Sequence, residues 1–347
     1  MKYNVAELTK FAADVMHAAG LTREEADIFA EALLHADSRG VSSHGISRLG
    51  VYSKRIAAGV IHSGVELKVI NEAPSACYFD AQAGPGVMMG RKMMDRCIEK
   101  AKETGCCFAA AKGGTHWGAL SFYTKYAAKQ GMIAMVSCNA EAGVVPYGGR
   151  KPMLGTNPVS IALPAKTHDP ICLDMATSMA ARGKIVVAQK EGRQIPDTWA
   201  LGTDAKPTTD PDEALKAACL LPFGAYKGYG IGLIIDILCH CLADAGDSRH
   251  TNSFWHDFEH PQNLGYQMTV IDISKFVPVD VFGERVDKMI EEFKAVPTVP
   301  GTDCVLMPGE KEDAKEKLSA EEGVEITDKL VAELKEVGEK YGVKFPF

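Results

Sequence analysis

Three stretches of this chain carry side chains able to move protons or grip anions. The first is Ser42-Ser43-His44-Gly45-Ile46-Ser47-Arg48-Leu49-Gly50-Val51-Tyr52. A helix opened by Ser42 or Ser43 would set His44, Arg48 and Tyr52 at i, i+4 and i+8, an imidazole, a guanidinium and a phenol on one stripe. Such a guanidinium can hold a carboxylate through two parallel hydrogen bonds. The plain alternative is a solvated face with one packed tyrosine. The second stretch is Gly113-Gly114-Thr115-His116-Trp117-Gly118-Ala119. Glycines around a lone histidine let backbone approach a ligand closely, and an imidazole titrating near neutrality suits general acid/base work. A structural histidine is the alternative. The third group is Tyr147-Gly148-Gly149, Gly155-Thr156-Asn157-Pro158 and Asp174-Met175-Ala176-Thr177. Each lies at a strand end, where α/β proteins keep ligand loops. Further on, Gly224-Ala225-Tyr226-Lys227-Gly228 opens a helix whose free N–H groups and lysine ammonium suit a phosphate. A surface lysine at a glycine-rich helix start is the competing reading.

One segment imitates a dinucleotide loop. Gly84-Pro85-Gly86-Val87-Met88-Met89-Gly90 falls between a strand and a helix. The dinucleotide motif wants a carboxylate at the end of the next strand, to hold ribose hydroxyls. Here that strand runs into Lys112-Gly113-Gly114-Thr115-His116, and Pro85 interrupts the loop. A tight turn before a helix explains the glycines better.

The elements that must position these groups follow from periodicity. Asn4 with Glu7 resembles a capping box before Leu8, Phe11, Ala12, Val15 and Met16, and Thr22 with Glu25 is a better one before Ala26, Phe29, Ala30, Leu33 and Leu34. From about residue 64 the pattern turns to short apolar strands, at 76–79, 107–111, 133–137, 159–163, 170–173 and 267–273, with a helix at 87–102. The run 228–242 is apolar enough to predict a buried helix. Residues 310–322 read as a solvated Lys/Glu-rich helix face or loop, and Thr327 caps a last helix carrying Leu330, Val331, Leu334 and Val337. The expected architecture is mixed α/β. A central domain spans 71–284, and a helical domain is assembled from 1–70 with 285–347.

Composition sets the outer limits. The 347 residues are 46% hydrophobic and 24% charged, ordinary for a globular protein of about two domains. A net charge of -7 argues against nucleic-acid partners, which demand a basic field. No apolar run approaches the ~20 residues of a membrane span. The start, Met1-Lys2-Tyr3-Asn4-Val5, has neither a signal-peptide stretch nor transit-peptide character, so a cytoplasmic location is expected. Ten cysteines occur without a C-x-x-C pair, which reads as free thiols in a reducing compartment and no metal site. The same absence, with no H-E-x-x-H, counts against a metal hydrolase.

Taken together, these segments are similar to the type 2 malate/L-lactate dehydrogenase family, which also includes ureidoglycolate dehydrogenase and several 2-oxo acid and imino acid reductases. The resemblance rests on His35-Ala36-Asp37-Ser38-Arg39-Gly40 through His44-Gly45 and Arg48, on His116-Trp117-Gly118, and on Val145-Pro146-Tyr147-Gly148-Gly149. It continues in Gly155-Thr156-Asn157-Pro158, Asp174-Met175-Ala176-Thr177, Ile195-Pro196-Asp197-Thr198-Trp199-Ala200, Pro207-Thr208-Thr209-Asp210-Pro211 and Lys227-Gly228-Tyr229-Gly230. Order and spacing hold over nearly the whole chain.

The resemblance implies a cytoplasmic homodimer with a non-Rossmann site for NAD or NADP, NAD being the first expectation. It implies proton transfer by His116 and a substrate pocket of His44, Arg48 and Tyr52. It places the cofactor at Ala140, Thr156, Asp174, Met175, Ala176, Lys227 and the Pro308-Gly309-Glu310 turn. The chain departs from the family where Gly113-Gly114-Thr115 precede the histidine, since many members have Asn or Ser there. It departs again at Ala140, where some have Ser, which puts one cofactor hydrogen bond in doubt. The expected reaction interconverts a 2-hydroxy acid and a 2-oxo acid by hydride transfer. Malate is the first substrate, and ureidoglycolate and lactate or another 2-oxo acid are the alternatives. A non-catalytic ligand-binding protein of the same fold is the rival from another class, and the intact His116 and Arg48 oppose it.

Overall fold

The computed structural model describes residues 1–347. Strand β1 (Lys2–Tyr3) leads into α1 (Val5–Ala19), where Asn4 accepts the Glu7 N–H and the reciprocal half of the box is missing. Thr22 and Glu25 make both halves, opening α2 (Arg23–Ser38), and α3 (Leu49–Ala57) follows. Next come the hairpin β2 (Lys68–Ala73) and β3 (Ala76–Asp80), then α4 (Gly86–Thr104) and β4 (Cys106–Gly114). The chain goes on through α5 (Ser121–Ala128), β5 (Met132–Cys138), β6 (Val159–Leu163) and β7 (Ile171–Met175), the last running through Asp174. A small lobe holds α6 (Arg182–Lys190), β8 (Ala200–Leu201), α7 (Pro211–Ala217) and β9 (Cys219–Leu220). Helix α8 (Tyr226–Ile237) widens into a π-helical turn at Leu238–Leu242. Last come β10 (Leu264–Asp272), α9 (Val279–Lys294), α10 (Glu310–Glu322), β11 (Val324–Glu325) and α11 (Asp328–Lys340), the last capped by Thr327.

The seven-stranded sheet runs β2-β3-β4-β10-β5-β6-β7. Only β3 and β4, bridged by α4, pair in parallel, while every other neighbour is antiparallel, so the sheet is mixed. Sequence order suggested that β10 closes the α/β region. It lies instead in the middle of the sheet, between β4 and β5, because almost every one of its side chains finds cover there. Helices α4 and α5 bury Met89, Met93, Leu120 and Tyr123 against the sheet. A second core joins the two chain ends, packing Leu8, Phe11, Phe29 and Tyr52 with Leu334 and Phe345.

Charges fasten the same layers. Arg39, capping the end of α2, and Lys125 on α5 both bond Asp313 on α10, and both also reach Glu316, with Arg39 at 2.6 Å and Lys125 at 3.3 Å. Arg39, Lys125 and Asp313 are buried, so each relies on the others to replace lost hydration.

One expectation fails. The run 228–242 was expected to be buried, yet Ile234 is 56% exposed, and Ile231, Ile237 and Leu242 are exposed too. Apolar residues fall all round this helix, and the chain covers only one side of it, burying Ile235 and Cys239.

Candidate active site

The loop between β4 and α5 carries His116, and its neighbours lock it. The Thr115 hydroxyl donates to the Gly84 carbonyl at 2.8 Å, and the Tyr266 hydroxyl donates to the Thr115 carbonyl. Trp117 stacks on Tyr266 at 3.9 Å with a 6° interplanar angle, and the Tyr123 hydroxyl donates to the Trp117 carbonyl at 2.6 Å. The glycine turn described above has its physical reason here. A Cβ on Gly86 would sit 2.5 Å from the His116 and Thr115 carbonyl oxygens, so this turn packs against the chain's own loop. A Cβ on Gly114 would overlap the Tyr266 ring, which accounts for a glycine where a larger side chain was anticipated.

His116 is then met from three sides. Its backbone N–H donates to Gln262 Oε1 at 2.8 Å, and its Nδ1 is bonded to the Tyr52 hydroxyl. His44 stacks on the ring at 5.6 Å and 17°, and Phe254 packs on it at 4.7 Å. Nε2 has no partner within the chain and is the nitrogen left for a substrate. Burial, with His44, Arg48 and Arg55 nearby, holds the imidazole pKa well below its ordinary value, so His116 is neutral at neutral pH. Burial and Arg48 likewise push His44 down to about 4.

His44, Arg48 and Tyr52 do converge, but not on one helix. Ser42–His44 and Ile46–Arg48 are separate 3-10 turns, and α3 begins only at Leu49. Gly45 breaks the run in an extended conformation, and the half-buried Asp37 carboxylate occupies the place a Cβ would take, so only glycine fits there. Asp37 accepts the Ile46 N–H at 2.6 Å, and burial raises its pKa to about 7. Arg48 Nε donates to the Ser43 carbonyl at 2.6 Å, and the guanidinium lies over Trp255 at 4.3 Å. Its terminal nitrogens have no partner in the chain, leaving the planar fork open for an anion.

Most of the anticipated cofactor residues lie on β7 or are bonded beside it, and Lys227 stands apart at the start of α8. Asp174 Oδ2 accepts the Ser121 N–H at 2.8 Å, tying this strand to the helix that follows the His116 loop. Thr156 O accepts the Thr177 N–H at 2.8 Å, and Asn157 Oδ1 accepts the Ala140 N–H at 3.1 Å. The Cys172 N–H donates to the Pro308 carbonyl at 3.0 Å, and Gly309, with φ +87°, presses on Cys172 where a side chain would collide. Met175 pairs with Val159 across β6, and Ala176 follows it. Lys227 is exposed in the first turn of α8 and has no salt-bridge partner. Glu310 is less free, since its carboxylate takes Lys294 and the Met307 N–H. An open carboxylate oxygen on Asp174, a free hydroxyl on Thr156 and a cation at a helix start fit the ribose and pyrophosphate of a dinucleotide. Arg150 and Lys151, weighed for a second substrate carboxylate, are exposed beside the small lobe and make no hydrogen bond with this group.

Sequence reasoning missed the loop from Asn252 to Gln262, which supplies Phe254, Trp255 and Gln262, and it missed Arg55 beneath that loop. No periodicity or motif marks either one. Asp37 stood inside a quoted segment, but nothing in its spacing showed that it shapes the turn.

An imidazole open at Nε2, an open guanidinium and a dinucleotide-compatible edge on a non-Rossmann sheet are the parts that a nicotinamide-dependent oxidoreductase of small acids requires. Residues 3–335 match the family described as Malate/L-lactate dehydrogenase, and the chain belongs to it. Malate dehydrogenase of Pyrococcus horikoshii is 35% identical over 97% of this chain and 94% of its own. L-sulfolactate dehydrogenase of Methanothermobacter thermautotrophicus is 35% identical over 95% and 94%. The crystal structure of malate dehydrogenase from Entamoeba histolytica superposes with a TM-score of 0.95 at 29% identity, covering 100% of this chain and 99% of that one. The protein is an enzyme acting on 2-hydroxy acids with a nicotinamide cofactor.

Proposed function

We propose that the enzyme interconverts malate and oxaloacetate, with His116 as the proton acceptor and donor. The observation that carries this reading is the pairing of a neutral imidazole, fixed at Nδ1 and open at Nε2, with an Arg48 fork open at its terminal nitrogens. In the oxidation, the substrate hydroxyl proton passes to His116 Nε2 while the C2 hydride leaves. The tautomer required places the other proton on Nδ1, donating to the Tyr52 oxygen in place of the long 3.4 Å bond that Nδ1 otherwise accepts from the Gly118 N–H. Arg48 grips the C1 carboxylate and turns C2–H toward the hydride acceptor. When bound, the nicotinamide supplies that acceptor. His44 stands beside both groups as a further donor. A substrate with a second acidic group is favoured because relatives are named for malate and for sulfolactate.

NAD is the form we assign. The candidate cofactor residues include one cation, Lys227, and a 2′-phosphate would ask for another. An assay of malate, L-sulfolactate, ureidoglycolate and lactate with each cofactor, followed at the reduced-nicotinamide absorbance, tests both assignments. Malate with NAD is expected to give the highest kcat/KM. A higher value for another acid moves the substrate, and no turnover with any acid favours the non-catalytic alternative.

We also assign a homodimer in the cytoplasm. The amphipathic helices at the two chain ends are covered by the chain's own core. The uncovered apolar surface is that of α8, beside a groove of about 300 Å³ between Met135, Val159, Ile231 and Ile234. Light scattering is expected to give twice the 37.3 kDa chain mass, and a monomer alone would refute the dimer. All ten cysteines are free thiols, in keeping with a reducing compartment.

A further inference from the structure

We infer that Arg55 is a positioning residue, a buried clamp that holds the Asn252–Gln262 loop down so that Phe254 covers His116 and Trp255 covers Arg48. The loop is closed at its base, where the Asn252 N–H donates to the Gln262 carbonyl at 3.2 Å and the Asn252 amide donates to the Pro261 carbonyl at 2.7 Å. Eleven residues with their ends joined in this way form an Ω-loop, a unit usually packed by its own side chains. Here a side chain from another element fills it. Arg55, on α3, is fully buried. Its NH1 donates to the carbonyls of Ser253 at 3.2 Å, Phe254 at 3.3 Å and Asp257, and its NH2 reaches that of His260 at 3.5 Å. No carboxylate pairs with it directly. A guanidinium this deep is stable only while those carbonyls stay around it, so charge burial and loop closure are one equilibrium. Glu141 adds a second tie by accepting the Phe254 N–H at 3.1 Å.

The consequences reach the site at three atoms or rings. Phe254 packs on His116 at 4.7 Å and on Tyr52 at 5.2 Å. Trp255 lies over the Arg48 guanidinium at 4.3 Å. Gln262, at the base of the loop, accepts the His116 N–H at 2.8 Å. The loop therefore excludes water from the imidazole and fixes the direction of the fork. Arg55 is about one helical turn from Tyr52 on α3, and Arg48 is in the 3-10 turn just before that helix, so one short stretch of chain both presents the substrate groups and pins their cover.

This inference rests on the proposed role of His116, so its test includes a readout independent of that role. Arg55→Lys keeps the charge and loses the planar fork, and cannot hold four spread carbonyls. In the full-length enzyme, amide hydrogen exchange over 252–262 is expected to rise in Arg55→Lys, while exchange in the β4 and β10 peptides stays as in wild type. The kcat is expected to fall about tenfold or more, with little change in the NAD(H) dissociation constant. The acid limb of oxidation is expected to move up toward the ordinary imidazole range, because His116 gains water while His44, Arg48, Tyr52 and a cation at 55 all remain. Phe254→Ala, with Arg55 intact, is expected to shift that limb in the same direction. Unchanged exchange in Arg55→Lys overturns the clamp. Raised exchange with wild-type kcat and pH profile in both variants overturns the positioning role. Should Arg55→Lys fail to fold, Glu141→Ala loosens the same loop and is judged by the same two readouts. His116→Ala retaining turnover would overturn the proton-transfer reading while leaving the exchange result to stand.

Discussion

His116→Ala is expected to lose about 10²–10⁴-fold in kcat while binding NAD(H) within a few-fold of wild type. The ring touches Tyr52, His44 and Phe254, and none of the groups gathered along β7. The backbone bonds that lock the loop use carbonyls and N–H groups which alanine keeps. A variant holding more than about a tenth of wild-type kcat would remove His116 from proton transfer. The pH dependence gives a second check. Oxidation requires the neutral imidazole, so its rate is lost as pH falls through the His116 pKa. Burial and three nearby basic groups lower that pKa in the free enzyme. The acid limb of kcat/KM for oxidation should therefore lie below the usual histidine range. In kcat the limb should lie higher, because a carboxylate bound at Arg48 cancels part of the field that disfavours the imidazolium.

Arg48→Lys is expected to cut kcat/KM by about 10²-fold, again with little change in cofactor binding. The guanidinium is held at Nε by Ser43 and lies over the Trp255 ring, which leaves the two terminal nitrogens free together. Lysine preserves the charge but can neither stack nor donate along two parallel lines. A purely electrostatic attraction would survive the change, and a positioning role would not. Steady-state kinetics with fluorescence titration of NADH separates the two. Near wild-type kcat/KM would exclude the carboxylate grip and leave His44 as the remaining basic group of the pocket.

What could be read in the sequence depended on how local each signal is. His116 was legible because its glycines and the preceding strand sit within a few residues of it. The convergence of His44, Arg48 and Tyr52 was legible, and their backbone was not. The place of a Cβ at Gly45 is taken by Asp37, whose approach no spacing rule anticipates. The residues along β7 entered only through family resemblance, and the structure groups most of them but commits Glu310 to Lys294. The place of β10 and the loop before it were hidden for a different reason. Arg55 and Asp257 stand 202 positions apart, and contacts over that distance leave no pattern in a single sequence. The exposure of α8 misled because an apolar helix has the same composition whether its cover comes from its own chain or from another.

The salt-bridge knot of Arg39, Lys125, Asp313 and Glu316 bears on how the molecule is made. Two cations from the first half of the chain are sealed in place only by two anions near its end, with 274 positions between Arg39 and Asp313. During synthesis α2 and α5 emerge long before their counter-charges exist. Until then, burying Arg39 and Lys125 would leave their charges unpaired, which is costly. Removing one member later strands the rest, at a cost of about 3–5 kcal/mol for a buried pair. Docking of α10 thus completes the neutralisation of charges contributed by two elements far earlier in the chain.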